Sequence, residues 1–237
     1  MNARLLATLA TALTAATSGV ATAAPAGTAT LIDVHAIHAT RGAARPGGGA
    51  NCTNAGAATG SYALTGWKVA GPTTSTFNTT TLPGNLSLGA TVSAIQSAYS
   101  AWSQGTPAPS INVATSTSSS TKPTANHSYE TMFGKAGGQT LAVTYTWRWS
   151  DGSIESDTLF NTSFTWANLG AEGDGCYENA GNVYDVGNIA THEFGHTYGL
   201  DHPSGARFET MYAYGYSGET LKRSPASGDV NGANAVY

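Results

Sequence analysis

The stretch His192-Glu193-Phe194-Gly195-His196-Thr197-Tyr198-Gly199-Leu200-Asp201-His202 sets three imidazoles and one carboxylate close together in the chain. On an α-helix, residues four apart lie on one face, so His192 and His196 can present ring nitrogens to a single metal ion. Glu193, about 100° further round, can reach a water on that ion rather than the ion itself. A helix carried straight on would aim His202 elsewhere, so the chain must turn sharply after His196. Gly199 permits the turn, because glycine enters the left-handed conformation without a Cβ penalty. Zinc held by three neutral histidines keeps a fourth position for water, whose pKa falls towards about 7. The pattern H-E-x-x-H-x-x-G-x-x-H therefore predicts one catalytic zinc with His192, His196 and His202 as ligands and Glu193 as general base, the arrangement of a hydrolase.

Working outward, residues 1–24 carry Arg4, an apolar Leu/Ala/Val run and the small-residue exit Ala21-Thr22-Ala23. This is the pattern of a secretory signal peptide, so the mature protein is expected to be secreted and extracellular. No segment approaches the roughly 20 apolar residues of a membrane span, and no membrane partner is expected. About a tenth of the 237 residues are charged and the net charge is −4, which argues against a nucleic-acid partner. A monomer of one catalytic domain, residues 61–237, is expected. Cys52 and Cys176 fit one disulfide in an exported chain and are too few and too far apart for a cysteine zinc cluster.

Residues 25–60 are rich in Ala, Gly and Thr and contain the run Arg41 to Ala50, which reads as a propeptide or loosely held N-terminal arm. Within it, Leu31 to Ala39 has strand character. His35 and His38 lie there; a second metal site is one reading, and surface histidines the other. Thr73 to Thr81 reads as a strand ending at Pro83-Gly84. Val92, Ile95, Tyr99 and Trp102 form one apolar stripe of a helix over Ala90 to Gln104. Ile111 to Val113 reads as a short strand and Thr115 to Thr121 as a polar loop. Leu141, Val143, Tyr145, Trp147 and Trp149 alternate with smaller or polar residues, predicting a strand whose aromatic face is buried. Asp151-Gly152 then turns the chain into a neighbouring strand, Ile154 to Asn161. The acidic loop Gly170 to Asn179 could hold calcium through Glu172, Asp174 and Glu178, or be simply solvated. Asp185 or Asn182 can cap the helix that leads into His192.

Taken together, these residues resemble a metzincin zinc endopeptidase, and within that group the matrixin branch. Tyr62-Ala63-Leu64-Thr65-Gly66-Trp67-Lys68 resembles the opening of matrixin catalytic domains, and Ala94 to Trp102 resembles their first helix. Thr210-Met211-Tyr212 resembles the methionine turn beneath the zinc, and Gly228 to Tyr237 the closing helix. The resemblance implies an α/β (α+β) zincin fold: a twisted mixed sheet, two long helices and a small irregular C-terminal subdomain after Gly199. It also implies a protein or peptide substrate, aligned by an edge strand that Ile154 to Asn161 resembles, and a side-chain pocket walled by Tyr212 to Lys222, with Tyr212 and Tyr214 as lining residues.

Some positions depart from the pattern. Ala213 replaces the zinc-reaching tyrosine of astacin-like and serralysin-like enzymes, and Gly228-Asp229 replaces the paired aspartates of vertebrate relatives, one of which receives the freed N-terminus. Their structural-zinc segment is absent, so no second zinc is carried over. Cys52 lies where those relatives place a zinc-blocking propeptide cysteine, but in the setting Ala50-Asn51-Cys52-Thr53-Asn54, which leaves a Cys52–Cys176 disulfide as the preferred reading. The rival functions are a peptidase of another metzincin branch and a non-catalytic secreted binding module with a vestigial zinc site.

Overall fold

The computed structural model describes residues 27–40, 58–170 and 182–237. The signal-peptide stretch, Cys52, Cys176 and nearly all of the acidic loop lie outside the described residues. In chain order the strands and helices are β1 (Ala29–Ala39), β2 (Ala63–Leu64), β3 (Thr73–Asn78), α1 (Leu88–Ser103), β4 (Ile111–Ser116), β5 (Tyr129–Gly134), β6 (Thr140–Trp149) and β7 (Ile154–Asn161). There follow β8 (Thr165–Ala167), β9 (Val183–Asp185), α2 (Val186–Thr197), β10 (Leu200–Asp201), β11 (Tyr214–Gly215) and α3 (Ser227–Val236). The main sheet runs β11-β1-β6-β7-β5-β3-β4. Strands β3, β4, β5 and β7 are parallel, and β6 is antiparallel to both β7 and β1. The expected mixed α/β architecture is present.

Helix α1 forms where the apolar stripe predicts it. Ile95, Tyr99 and Trp102 are fully buried, while Val92 is half-buried at the margin. The stripe faces α2: the rings of Tyr99 and Phe194 stack with centroids 3.6 Å apart, and Trp102 Nε1 donates to the Thr191 carbonyl at 2.8 Å. Asp185 caps α2, its carboxylate accepting the Asn188 N–H at 2.7 Å and pairing with Arg223 Nε at 2.8 Å. Every residue of α2 is buried, so this helix lies between α1 and the sheet with no solvent face.

Two expectations about the sheet are corrected. The buried aromatic face of β6 is instead partly open, since Tyr145 and Trp147 are only half-buried. Its small residues Ala142, Thr144 and Thr146 face inward, because a helix as close as α2 leaves room for methyl and hydroxyl groups only; Thr144 Oγ1 reaches the Glu193 carboxylate at 2.7 Å. Ile154–Asn161 is not the edge strand expected, and the outer strands of the main sheet are β11 and β4. That run is β7, held inside the sheet between β5 and β6, and the turn at Gly152 (φ +86°) joins β6 and β7 as expected.

Strand β5 gave no alternation to read, because it is buried on both faces. It carries Glu130, which with Glu155 and Asp157 of β7 forms a buried carboxylate cluster. These carboxylates accept backbone N–H groups of the 117–128 connection: Ser120 to Glu130 at 3.0 Å, Thr124 to Asp157 at 2.9 Å, and Asn126 and His127 to Glu155 at 2.9 and 2.7 Å. The loop is thus fixed by buried carboxyl acceptors, with His127 stacked on the Trp149 ring. Burial, with Glu155 and Glu130 close by, pushes Asp157 up to about 8, against the N–H bonds that favour its charged form.

In the unfolded chain Asp157 loses its proton near pH 4, and in the folded protein near 8, so the folded form binds more protons between those values. Its stabilising contribution is complete below about pH 4 and is lost as pH rises through about 8. Thermal unfolding followed across pH 4–9 should fall less steeply with pH in Asp157→Asn than in the parent protein; parallel curves would remove Asp157 as the titrating group.

Candidate active site

Helix α2 delivers His192 and His196 on one face, and the turn after it returns His202 to them. Nε2 of His202 lies 3.1 Å from Nε2 of both His192 and His196. Three nitrogens bound about 2.0–2.1 Å from a shared tetrahedral centre would stand roughly 3.3 Å apart, so the spacing fits one zinc. The Nδ1 atoms of the two helical histidines are engaged from behind, His192 with the Thr210 carbonyl at 2.6 Å and His196 with the Leu200 carbonyl at 2.9 Å. Those bonds fix the tautomer that leaves each Nε2 lone pair facing the centre. Burial holds His192 and His196 well below the usual histidine range and lowers His202 to about 4, so all three present the neutral form a metal needs.

The turn that brings His202 back depends on Gly199, at φ +96°. A Cβ there would meet the Trp67 carbonyl oxygen at 2.2 Å. The same close approach lets Thr65 N–H bond the Gly199 carbonyl at 3.0 Å and β10 pair with β2.

Glu193 is fully buried beside the ligands. Its Oε2 accepts from Thr144 Oγ1 at 2.7 Å and its Oε1 from the Ile37 N–H at 3.1 Å. Burial pushes its carboxyl up to about 8, partly offset by those two hydrogen bonds. Neither Thr144 nor Ile37 belongs to the sequence motif; only the three-dimensional approach of β6 and β1 brings them here.

A second set of nitrogens competes for attention. His35, for which the sequence leaves a metal-ligand and a surface reading, stacks on His196 with ring centroids 4.3 Å apart, and ligand atoms of His35, His196 and His202 lie within 4.8 Å of one another. Its own nitrogens face carboxylates, Nε2 at 2.9 Å from Asp33 Oδ2 and Nδ1 at 3.4 Å from Asp201 Oδ1. The motif set is the better metal site: its Nε2 spacing is closer to ligand geometry, and its helical members are braced by carbonyls rather than drawn to acids.

Met211 is 1 % exposed and packs against Gly195, the residue just before His196. The turn carrying it is tied by Asp229, whose carboxylate accepts the N–H groups of Thr210 at 2.6 Å, Met211 at 3.1 Å and Ala226 at 2.8 Å. Gly228 leaves the space that Glu209 fills: a Cβ there would meet Ser61 O at 2.2 Å and Glu209 Cδ at 2.8 Å. Glu209 in turn accepts the N–H groups of Thr59 and Gly60 at 2.8 and 3.0 Å. A carboxylate thus still gathers the chain just before β2, supplied from residue 209 instead of 228.

Strand β1 crosses the histidines as part of the main sheet, paired with β6 on one edge and β11 on the other, with His35 stacked on His196. Tyr212 and Tyr214 face each other with ring centroids 5.4 Å apart, Tyr214 exposed at the rim. The fully buried Lys222 lies behind Tyr212, its Nζ 5.6 Å from the ring centre and 3.2 Å from Glu219 Oε1.

Gly195, between the two helical ligands, has no room for a side chain: a Cβ would stand 2.2 Å from Met211 Sδ and 2.7 Å from Trp102 Cζ2. Gly195→Ala should therefore lower stability by about 1–3 kcal/mol through overpacking and reduce metal occupancy. Thermal unfolding and metal analysis of the purified variant check both; unchanged values would mean that Met211 and Trp102 move aside freely.

Comparison with known proteins agrees with this geometry. No curated protein matches the chain. A model of the matrixin family matches residues 67–237, which takes in β3 to α3, the histidine motif and the methionine turn. The chain belongs to the matrixins, a family of zinc-dependent metalloproteases.

Proposed function

We propose that the protein is a secreted zinc endopeptidase in which His192, His196 and His202 hold the metal and Glu193 is the general base. The observation that carries this reading is the convergence of three Nε2 atoms beside one buried carboxylate that β6 and β1 contact through Thr144 and Ile37. Zinc, when bound, supplies a Lewis acid that polarises the scissile carbonyl and makes water nucleophilic near neutral pH. The protein residues do the rest. An extended peptide would pair with the edge of β6 that β1 covers in this structure, which sets its backbone in register over the site. Glu193 takes a proton from the attacking water and delivers it to the leaving nitrogen. Thr144 holds the Glu193 carboxylate through Oε2, leaving Oε1 turned towards the Ile37 N–H of β1. Tyr212, Tyr214 and the segment to Lys222 wall the pocket for the side chain on the leaving-group side.

Glu193→Ala should retain zinc and lose peptide cleavage by about 10²- to 10⁴-fold, the usual contribution of a positioned acid–base group. Metal content and turnover of a peptide library are measured on the same preparation. Zinc-loaded variant with undiminished turnover would exclude Glu193 from the proton transfers.

A further inference from the structure

Strands β6 and β7 carry side-chain hydroxyls on the face that meets α2. Opposed residues of an antiparallel pair share a face, and so do residues two apart along a strand. Thr144 with Thr158 and Thr146 with Ser156 therefore stand as two successive rungs. In each rung the hydroxyl oxygens are 3.0 Å apart, and all four residues are at most 1 % exposed. The rungs differ in what lies beside them. Thr144 Oγ1 is also 2.7 Å from Glu193 Oε2 and 3.2 Å from the Glu193 carbonyl oxygen, whereas the Thr146 and Ser156 hydroxyls bond only each other among the described residues.

Hydrogen counting sets the direction of these bonds. A hydroxyl has one hydrogen to give and two lone pairs with which to receive. Both Glu193 atoms near Thr144 are acceptors when the carboxylate is ionised, so the Thr144 hydrogen belongs to Glu193. The contact on the other side of Thr144 is then a hydrogen bond only if Thr158 donates. Reversed, Thr144 Oγ1 and Glu193 Oε2 would meet lone pair to lone pair at 2.7 Å in a fully buried place.

We infer that Thr158 is a positioning residue: by donating to Thr144 it keeps the Thr144 hydrogen on Glu193 Oε2, so that Oε1 takes and returns the proton of the reaction. The inference rests on the peptidase reading above. Of the two carboxylate oxygens, Oε2 receives the shorter bond, 2.7 Å against 3.1 Å from the Ile37 N–H to Oε1, and is the weaker base. Two hydroxyls pointing the same way also polarise one another, which strengthens the bond to Oε2. In the first transfer the water O–H bond breaks as an O–H bond forms at Oε1. In the second that bond breaks as an N–H bond forms on the leaving nitrogen, and Glu193 ends as it began. Thr144 and Thr158 exchange no hydrogen with the substrate; they select the oxygen that does.

Thr158→Val removes the donor and keeps the branched shape. In the zinc-loaded full chain, assayed on a peptide library, it should lower kcat about three- to tenfold, the worth of one hydrogen bond, and leave KM within about twofold. Thr158→Ser should restore kcat. Thr146→Val and Ser156→Ala remove the same kind of buried bond from the neighbouring rung; they should lower thermal stability as Thr158→Val does, with kcat unchanged. Parental kcat in Thr158→Val, or an equal fall in all three rung variants, would overturn the positioning role and leave the peptidase reading standing. A Thr158→Ser protein as slow as Thr158→Val would overturn it as well. A zinc-loaded parent that cuts no peptide would end the peptidase reading and this inference with it. Neutron diffraction from deuterated crystals reads the hydrogens without turnover: deuterium should lie on Thr158 Oγ1 towards Thr144 and on Thr144 Oγ1 towards Oε2. Deuterium on Oε2 itself, or on Thr144 directed at Thr158, would contradict the inference even in a protein that cuts peptides.

Discussion

The structure depends on a helix with no exposed side. Polar groups carried into such a place must be satisfied from all directions, and α2 carries two histidines, a glutamate, an asparagine and threonines. Partners come from several neighbouring elements: the Thr210 and Leu200 carbonyls behind the imidazoles, Thr144 from the sheet on Glu193, and the Lys222 N–H on the Asn188 side chain at 2.7 Å, while Asn188 Nδ2 and Thr197 Oγ1 are left without one among the described residues. Burial also makes the chemistry available. It disfavours protonated imidazole, so the histidines stay neutral and ready to ligate. The same enclosure that stabilises the fold therefore shapes the proposed metal site.

Glycine makes the enclosure close enough. At Gly195 the Met211 sulfur and the Trp102 ring occupy the volume a side chain would need, so the methionine turn and α1 press against α2 from two sides. At Gly199 the backbone turns with positive φ under the Trp67 carbonyl and sends His202 back to the helix. Of the two positions, only Gly199 has a visible signature in the sequence. The need for glycine at 195 appears only once Met211 and Trp102 are placed.

The residues that could be read directly were those governed by local periodicity: the i, i+4 histidines, the Ile95-Tyr99-Trp102 stripe, the Asp185 cap and the Gly152 turn. Where the reading failed, tertiary packing overrode the local pattern. The alternation in β6 identified a strand and its buried Leu141, Val143 and Trp149, but Tyr145 and Trp147 of the same set are only half-buried, while Ala142, Thr144 and Thr146 are fully buried under α2. Strand β5 is buried on both faces and has no alternation. His35 kept both a metal-ligand and a surface reading because nothing in sequence brings position 35 to position 196; only pairing of β1 with β6 does, across about a hundred intervening residues. The cysteine pair and the acidic loop lie outside the described residues, and the structure bears on neither.

Two imidazole sets share the centre, one built from the motif and one in which His35 takes the place of His192. The account holds that the motif set binds the metal and that His35 arrives only as part of the strand lying over it. A crystal structure of the zinc-loaded protein, with anomalous differences recorded on either side of the zinc edge, separates the two directly. The predicted result is a single peak about 2.0–2.1 Å from Nε2 of His192, His196 and His202. A peak bonded by His35, His196 and His202, with His192 outside bonding distance, would contradict it.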